Sequence, residues 1–401
     1  MLRCSRLTAM LLVFSCFTLS VGYADDVTAK RSAPAVEAID QAMQAFVDSG
    51  DLSGAVTLVG HDRKIVHYGA VGHADLDSGK PMTRQTLFSI ASMTKPITST
   101  AVMMLVEEGK LDLDDEVSKF IPAFASVKLS NGESPQRQIT LRDCLTHTSG
   151  LHGTQSFSDS LREAVDELSQ RPLAFEPGSK WKYSPGLNVA ARIVEIVSEQ
   201  PFEAFLQKRI FDPLGMKNTT FYPESKQQRR IATQYRLSDE RKLQAVEDNR
   251  ITNLSSDPNW PRTQGPNPSG GLYSTARDLF AFYQMILNQG QFRGTRLLTK
   301  ESIEQMTSPQ TADLETGFTP GNCWGLGWCI IRDPQGVSEM LSPGTFGHGG
   351  AFGTQGWVDP KTKTISILMI QRTDLPNSDN SEMRAALHRS AAESIGIEPS
   401  R

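Results

Sequence analysis

The sequence predicts a mixed α/β fold of the α+β kind. One antiparallel sheet is built from N- and C-terminal segments, flanked by helices and interrupted by a large helical insertion. Strand-like alternation is confined to the two ends of the chain, Ser53–Asp75 and Asn322–Arg372. Helical periodicity with long polar loops fills the middle, from about Leu113 to Lys300. The chain of 401 residues is long enough to bury a substantial core without disulfides or metal. We expect a sheet part over about 35–112 and 320–398 and a helical part over about 113–319, together forming one unit over 25–401.

The first 24 residues form a separate segment. Arg3 and Arg6 precede an apolar stretch from Leu7 to about Val21, and the small residues Gly22 and Ala24 follow. That order is a secretory signal peptide over 1–24, which predicts an exported protein, periplasmic or secreted. A retained membrane anchor is the alternative, because the apolar run is close to the lower limit for a span. No other stretch could cross a bilayer, so no stable span is expected after cleavage. A net charge of -4 with no basic surplus argues against nucleic acid. Cys144, Cys323 and Cys329 remain in the mature chain. Cys323 and Cys329 read as one strand, with the thiols about 20 Å apart, so three free and mostly buried thiols are expected.

Ser53–Asp75 alternates around the polar turn His61-Asp62-Arg63-Lys64 and predicts a β-hairpin. A helix then opens at Ser92, with Pro96 in its first turn, Ile97, Ala101, Met104 and Leu105 on one face, and Gly109 at its end. Ser158–Gln170, Gly186–Gln200, Pro201–Gly215 and Ser274–Gly290 carry helical patterns, whereas about Pro223–Pro268 reads as a polar surface excursion. Strands return in Asn322–Asp333, Thr345–Gly350 and Phe352–Arg372, and Ser381–Gly396 reads as a final helix.

Ser92 and Lys95 lie three residues apart at a helix start, on one face. A serine hydroxyl is a weak nucleophile until a base takes its proton. Lysine can be that base if burial and the helix N-terminus lower its pKa, and the Ser92 N–H could serve as half of an oxyanion hole. The same four residues also fit an N-cap serine followed by a solvated lysine. Ser149 beside His147 is a weaker candidate, since neighbours on one loop seldom point at each other. Gly-x-Ser-x-Gly, His-Glu-x-x-His, Cys-x-x-Cys and the P-loop pattern are all absent, and the histidines do not form a metal set. No metal or cofactor is expected.

Six segments in order carry a resemblance: SMTK (Ser92–Lys95), LTHTSGL (Leu145–Leu151), WKYSPG (Trp181–Gly186), PLGMKNTTF (Pro213–Phe221), GGLYSTARDL (Gly270–Leu279) and GHGGAFGTQ (Gly347–Gln355). This order resembles the serine β-lactamase-related hydrolases, with the penicillin-binding-protein-like fold, over about residues 38–395. The resemblance implies that Ser92 forms an acyl-enzyme, that Lys95 is its base or proton shuttle, and that Tyr183 passes protons to the leaving group. It places the third motif at His348-Gly349-Gly350, with the N–H of Ala351 as second oxyanion donor. Two departures bear on the substrate. Pro185 stands where an asparagine binds the amide of lactams and peptides, and His348 stands where a permanent cation would meet a substrate carboxylate. Both favour a carboxylic ester or a small, less anionic amide. A β-lactamase or D-Ala-D-Ala carboxypeptidase, and a catalytically silent binding protein on the same fold, are the other readings.

Overall fold

The computed structural model describes residues 33–153, 158–246 and 265–396. The signal-peptide reading of 1–24 and part of the surface excursion lie outside them. The sheet has eight strands among the described residues. Three come from the N-terminal part: β1 (Gly54–His61), β2 (Lys64–Asp75) and β3 (Lys80–Pro81). Five come from the C-terminal part: β4 (Asn322–Trp324), β5 (Cys329–Ile331), β6 (Thr345–Gly349), β7 (Gln355–Asp359) and β8 (Thr364–Met369). Their order is β4-β5-β6-β7-β8-β1-β2-β3, antiparallel throughout. The ends of the chain meet where β1 pairs with β8, from Val56 opposite Met369 to His61 opposite Thr364.

The β1–β2 hairpin forms where its alternation predicts. Asp62 and Arg63 fill a two-residue turn with φ of 46° and 69°, the left-handed values whose twist matches paired strands. β1 is buried almost end to end because the sheet is covered on both faces. Val56 and Leu58 point into one core and Ala55 and Val59 into the other. Helix α1 (Ala33–Asp48) and a C-terminal helix, Glu382–Ser394, cover the second face through Ile39, Met43, Met383 and Leu387.

On the first face lie α2 (Thr94–Glu107) and Ala276–Leu287. From Thr94 to Leu105 every residue of α2 is buried, so the single apolar face read from Ile97, Ala101, Met104 and Leu105 is incomplete. The polar side of the helix is also interior, where Thr98 donates to Pro268 O at 2.7 Å and Ser99 to Leu326 O at 2.6 Å. Gly109, at φ 65°, closes the helix: Gly109 N bonds Val106 O and Lys110 N bonds Leu105 O.

Between β3 and β4 the chain supplies most of the helices: α3 (Leu141–Thr146), α4 (Leu161–Ser169), α5 (Gly186–Ser198), a helical run from Phe202 to Leu214, and α6 (Ala276–Leu287). Helix α7 (Glu382–Ser394) ends the described chain. A Cβ at Gly186 would lie 2.4 Å from Cys144 O, so α5 can approach α3 this closely only with glycine there. The excursion holds a small hairpin, Tyr235–Leu237 with Leu243–Ala245, which polar composition did not reveal.

One sequence reading is corrected. Cys323 and Cys329 do not share a strand. Gly325-Leu326-Gly327 folds the run back, with Gly327 at φ 74°, and Trp324 pairs with Cys329. Cys323 faces the main core and Cys329 an aromatic cluster on the other side, so the thiols stay unbridged although their strands are neighbours.

Helix α3 has a buried electrostatic anchor. Asp143, 4% exposed, accepts from both terminal nitrogens of Arg137 at 2.6 and 2.9 Å, from Thr140 N and Oγ1, and from Thr148 Oγ1. Removing it leaves the Thr140 and Thr148 donors without their acceptor, whereas the Arg137 side chain, 45% exposed, can return to water. Asp143→Ala should cost about 2 kcal/mol in urea unfolding. A loss below about 1 kcal/mol would show that this contact behaves as an exposed ion pair.

Candidate active site

Ser92 sits on a tight 3-10 turn, Ala91–Met93, that feeds α2. Ala91 has φ 44°, an unfavourable value for a residue with a Cβ, of the kind that costs on the order of 1 kcal/mol or more. Neighbours hold the turn in place. Ile90 N donates to Leu272 O at 3.0 Å, Gln371 Nε2 donates to Ser89 O at 2.9 Å, and Thr94 Oγ1 donates to Ala91 O at 2.7 Å. The GGLYST segment and the start of α2 thus fix the turn from two sides. Ser92 remains partly exposed. Its hydroxyl caps no helix, and Lys95 is only 2% exposed, which removes the alternative of an N-cap serine with a solvated lysine.

Lys95 Nζ donates to Ser92 Oγ at 3.0 Å and to Ser269 O at 2.7 Å. Burial lowers its pKa to about 7, opposed by the Asp379 carboxylate. A fraction of the amine is therefore unprotonated at neutral pH. Tyr183 lies alongside: Lys95 Nζ is 4.5 Å from the centroid of its ring. Burial raises the Tyr183 pKa strongly, an effect only partly offset by the hydrogen bond with Ser92, so the phenol keeps its proton. Ser92 is thereby placed between an amine that can take a proton and a phenol that can give one.

Tyr183 is positioned from below by the LTHTSGL loop. His147, at φ 62° just past α3, accepts from Ser184 N through Nδ1 at 3.1 Å, and its carbonyl accepts from Lys182 N at 3.0 Å. Its ring lies 4.4 Å from that of Tyr183. Burial, with Lys95 adding to it, holds His147 neutral. The loop supports the site, and Ser149 is fully buried. Pro185 stands just before α5, with a fixed ring and no N–H. Trp181, Phe318 and Trp324 pack around Tyr183, at ring-centroid distances of 6.3, 5.0 and 6.1 Å.

The fourth side is the end of β6. His348 is 2% exposed, its Nδ1 lies 2.6 Å from Gly349 O, and its ring centroid is 6.2 Å from that of Tyr183. Burial first, and Lys95 second, bring its pKa down to about 3, so it is neutral. Gly350 lets this strand reach the serine turn, because a Cβ there would lie 2.5 Å from Ile90 O and 2.1 Å from Thr354 Oγ1. Ala351 follows, exposed, and neither its N–H nor that of Ser92 has a hydrogen-bond partner among the described residues. Ser92, Lys95, Tyr183, His348, Gly349, Gly350 and Ala351 thus come from the serine turn and the start of α2, the segment before α5, and the end of β6 with the turn after it.

Sequence reasoning missed three contributors. Ser269 supplies a carbonyl to Lys95 from 174 residues away. His147 was weighed beside Ser149, and its contact to Ser184 went unseen. Asp379 lies against the β6 strand: a Cβ at Gly349 would lie 1.6 Å from its Oδ1. Only the glycines of NPSGG hinted at the first. Among the described residues no group of His, Cys, Asp and Glu could hold a metal ion, and no helix is long and apolar enough to cross a membrane.

A family model described as Beta-lactamase matches residues 39–390. The chain is 34% identical to protein Rv1367c of Mycobacterium tuberculosis over 355 residues, covering 81% of this chain and 87% of that protein. It is 31% identical to esterase EstB of Burkholderia gladioli over 352 residues, covering 80% and 86%. Among solved structures it resembles EstCE1, a hydrolase with promiscuous acyltransferase activity, with a TM-score of 0.76 at 23% identity over 90% of this chain and 98% of that one.

The approach of β6 to the serine turn can be tested at Gly350. Gly350→Val should lower turnover at least about tenfold, because the added carbons must displace Ile90 O or Thr354. Circular dichroism should still report the native secondary structure. Unchanged kcat/KM in this variant would mean that the strand does not seat against the serine turn as described.

Proposed function

This chain belongs to the β-lactamase family of serine hydrolases, and from that premise we propose that it hydrolyses a carboxylic ester through an acyl-enzyme on Ser92. The observation that carries the reading is the buried Lys95 amine, 3.0 Å from Ser92 Oγ with a pKa near 7. In its unprotonated form Lys95 takes the Ser92 proton while Oγ bonds the ester carbonyl carbon. The carbonyl oxygen becomes an oxyanion, and the unpaired N–H groups of Ser92 and Ala351 are suited to receive it. As the ester C–O bond breaks, the proton on Lys95 passes through the Tyr183 hydroxyl to the departing alkoxide. A water then attacks the acyl carbon, gives its proton back along the same path, and returns Ser92 to its resting state.

Lys95 fits the base role better than Tyr183. The amine titrates near working pH, whereas the phenol is held protonated and suits a relay. The esterase preference rests on Pro185, which cannot offer the amide contact of an asparagine, and on neutral His348, which cannot anchor a carboxylate. The likeness to an esterase at 31% identity supports the same side. Residues 1–24 retain their reading as a signal peptide, which makes the enzyme exported. The boundaries 25–401 for the hydrolase unit, with sheet and helical parts meeting near 112 and 320, belong to the same proposal.

Ser92→Ala should abolish turnover of nitrophenyl esters and labelling by a fluorophosphonate probe, with unfolding unchanged. Labelling that persists in the variant would assign the nucleophile elsewhere. In the wild type, kcat/KM for a neutral ester should rise through pH about 7 and level off above it, because the attacking step needs unprotonated Lys95. His348, neutral down to about pH 3, should contribute nothing in that window. A flat profile from pH 5 to 9 would remove Lys95 as base. In a substrate panel, ester turnover should exceed that of nitrocefin and of D-Ala-D-Ala peptides by orders of magnitude, and efficient nitrocefin hydrolysis would reverse the preference.

A further inference from the structure

One more ionisable group stands against the β6 strand, and the reaction sequence above does not use it. Asp379 lies on the short turn Ser378–Asn380 that leads into α7. It is partly exposed. Its Oδ1 accepts from Gln355 Nε2 at 3.3 Å and occupies the space that any side chain at Gly349 would need. Gly349 directly follows His348 and precedes the Gly350–Ala351 turn, so the carboxylate lies on the strand that flanks the reacting centre. Burial raises the Asp379 pKa, opposed first by Arg384, then by the Gln355 hydrogen bond and last by Lys95, whose own pKa Asp379 raises in turn, so the two share one electrostatic neighbourhood.

Among the described residues the permanent cation that acts most on Asp379 is Arg384, which pulls the carboxyl pKa down against burial but is itself enclosed. Arg384 is 0% exposed, and its guanidinium carbon lies 3.9 Å from the centroid of the Trp357 ring. Its Nη1 donates to the Asp379 carbonyl at 2.5 Å and its Nε to His388 Nε2, also on α7, at 3.2 Å. It is enclosed by an indole, a backbone carbonyl and an imidazole. His348 and His147, which also flank the site, are neutral. Asp379 is thus a carboxylate beside the strand where a permanent cation would otherwise greet a substrate carboxylate.

We propose that Asp379 is a specificity-determining residue, whose carboxylate beside Gly349 excludes esters bearing an anionic group near the scissile bond and admits neutral or ammonium-bearing ones. The proposal rests on the reading of Ser92 as the nucleophile and names the substrate class for that site. Two unit charges at contact distance near a protein surface interact strongly enough to change a rate about tenfold or more. The effect is one of charge, and it should survive any uniform change in the efficiency of the site.

The test uses the full mature chain and matched nitrophenyl butyrate, hemisuccinate and 4-aminobutyrate, which differ chiefly in charge. A second trio carries the neutral, anionic and cationic groups on the alcohol. Ratios of kcat/KM within one enzyme cancel any shared loss of activity. In Asp379→Asn the anionic-to-neutral ratio should rise about tenfold in at least one trio, and the cationic-to-neutral ratio should fall. Asp379→Glu should keep the wild-type order. If both ratios stay unchanged in both trios while the neutral ester slows, Asp379 is structural and the proposal is overturned. Should Asp379→Asn fail to fold, salt gives the same information in the wild type. Added NaCl should raise kcat/KM for the anionic ester and lower it for the cationic one, and the same response from both esters would overturn the proposal. Loss of fluorophosphonate labelling in Ser92→Ala is read separately, so failure of the nucleophile assignment is distinguishable from failure of this one.

Discussion

The site depends on one constraint: an amine must be kept out of water next to a hydroxyl. Lys95 is 2% exposed, bonded to Ser92 Oγ and Ser269 O, and flanked by the face of Tyr183. An ammonium in that place loses hydration that two hydrogen bonds and one carboxylate only partly replace, so its pKa falls. The architecture around it serves that enclosure. Helix α2 is interior on all sides because both the sheet and the helical insertion close over it. The Pro268–Ser269 carbonyls hold its polar side, one on Thr98 and the other on Lys95. The glycine at 350 lets β6 close the remaining side against the serine turn.

The same burial sets the charge of the whole cleft. His147 and His348 are both driven neutral, the phenol of Tyr183 stays protonated, and Arg384 is enclosed behind Trp357. What remains to interact with a substrate is a partly titrated lysine and the Asp379 carboxylate, together with an aromatic wall of Trp181, Tyr183, Phe318 and Trp324. Phe318 is 45% exposed and stands edge-on to both Trp181 and Tyr183. Among the described residues such a cleft provides apolar surface and hydrogen-bond donors but no fixed cation open to a substrate, in keeping with the departures at Pro185 and His348.

Much of this was legible in the sequence where the signal is local. Ser92 and Lys95 are one helical turn apart, the β1–β2 alternation spans adjacent residues, and the ordered motifs fix Tyr183 and His348. The two-ended strand pattern gave the sheet, because β1 pairs directly with β8. What was not legible depends on contacts made across the fold. Ser269 reaches Lys95 over 174 residues, and Asp379 meets Gly349 only because α7 folds back over the sheet. The run Asn322–Asp333 was misread as one strand because Cys323–Ile331 is apolar apart from two glycines. Gly325 and Gly327 were the available signal for a turn, and a Cβ at Gly325 would lie 2.3 Å from Met306 O. The complete burial of α2 likewise follows from what packs on it, which periodicity cannot report.

The claim that burial of Lys95 creates the base can be measured without reference to any substrate. Lysine labelled with 13C at Cε reports the titration of each amine, and the Lys95 signal is the one missing from Lys95→Met. The account predicts a midpoint at pH about 7 for that signal, against about 10.4 for exposed lysines. A midpoint above 9 would mean that Lys95 is an ammonium at working pH, and the serine would then need another base.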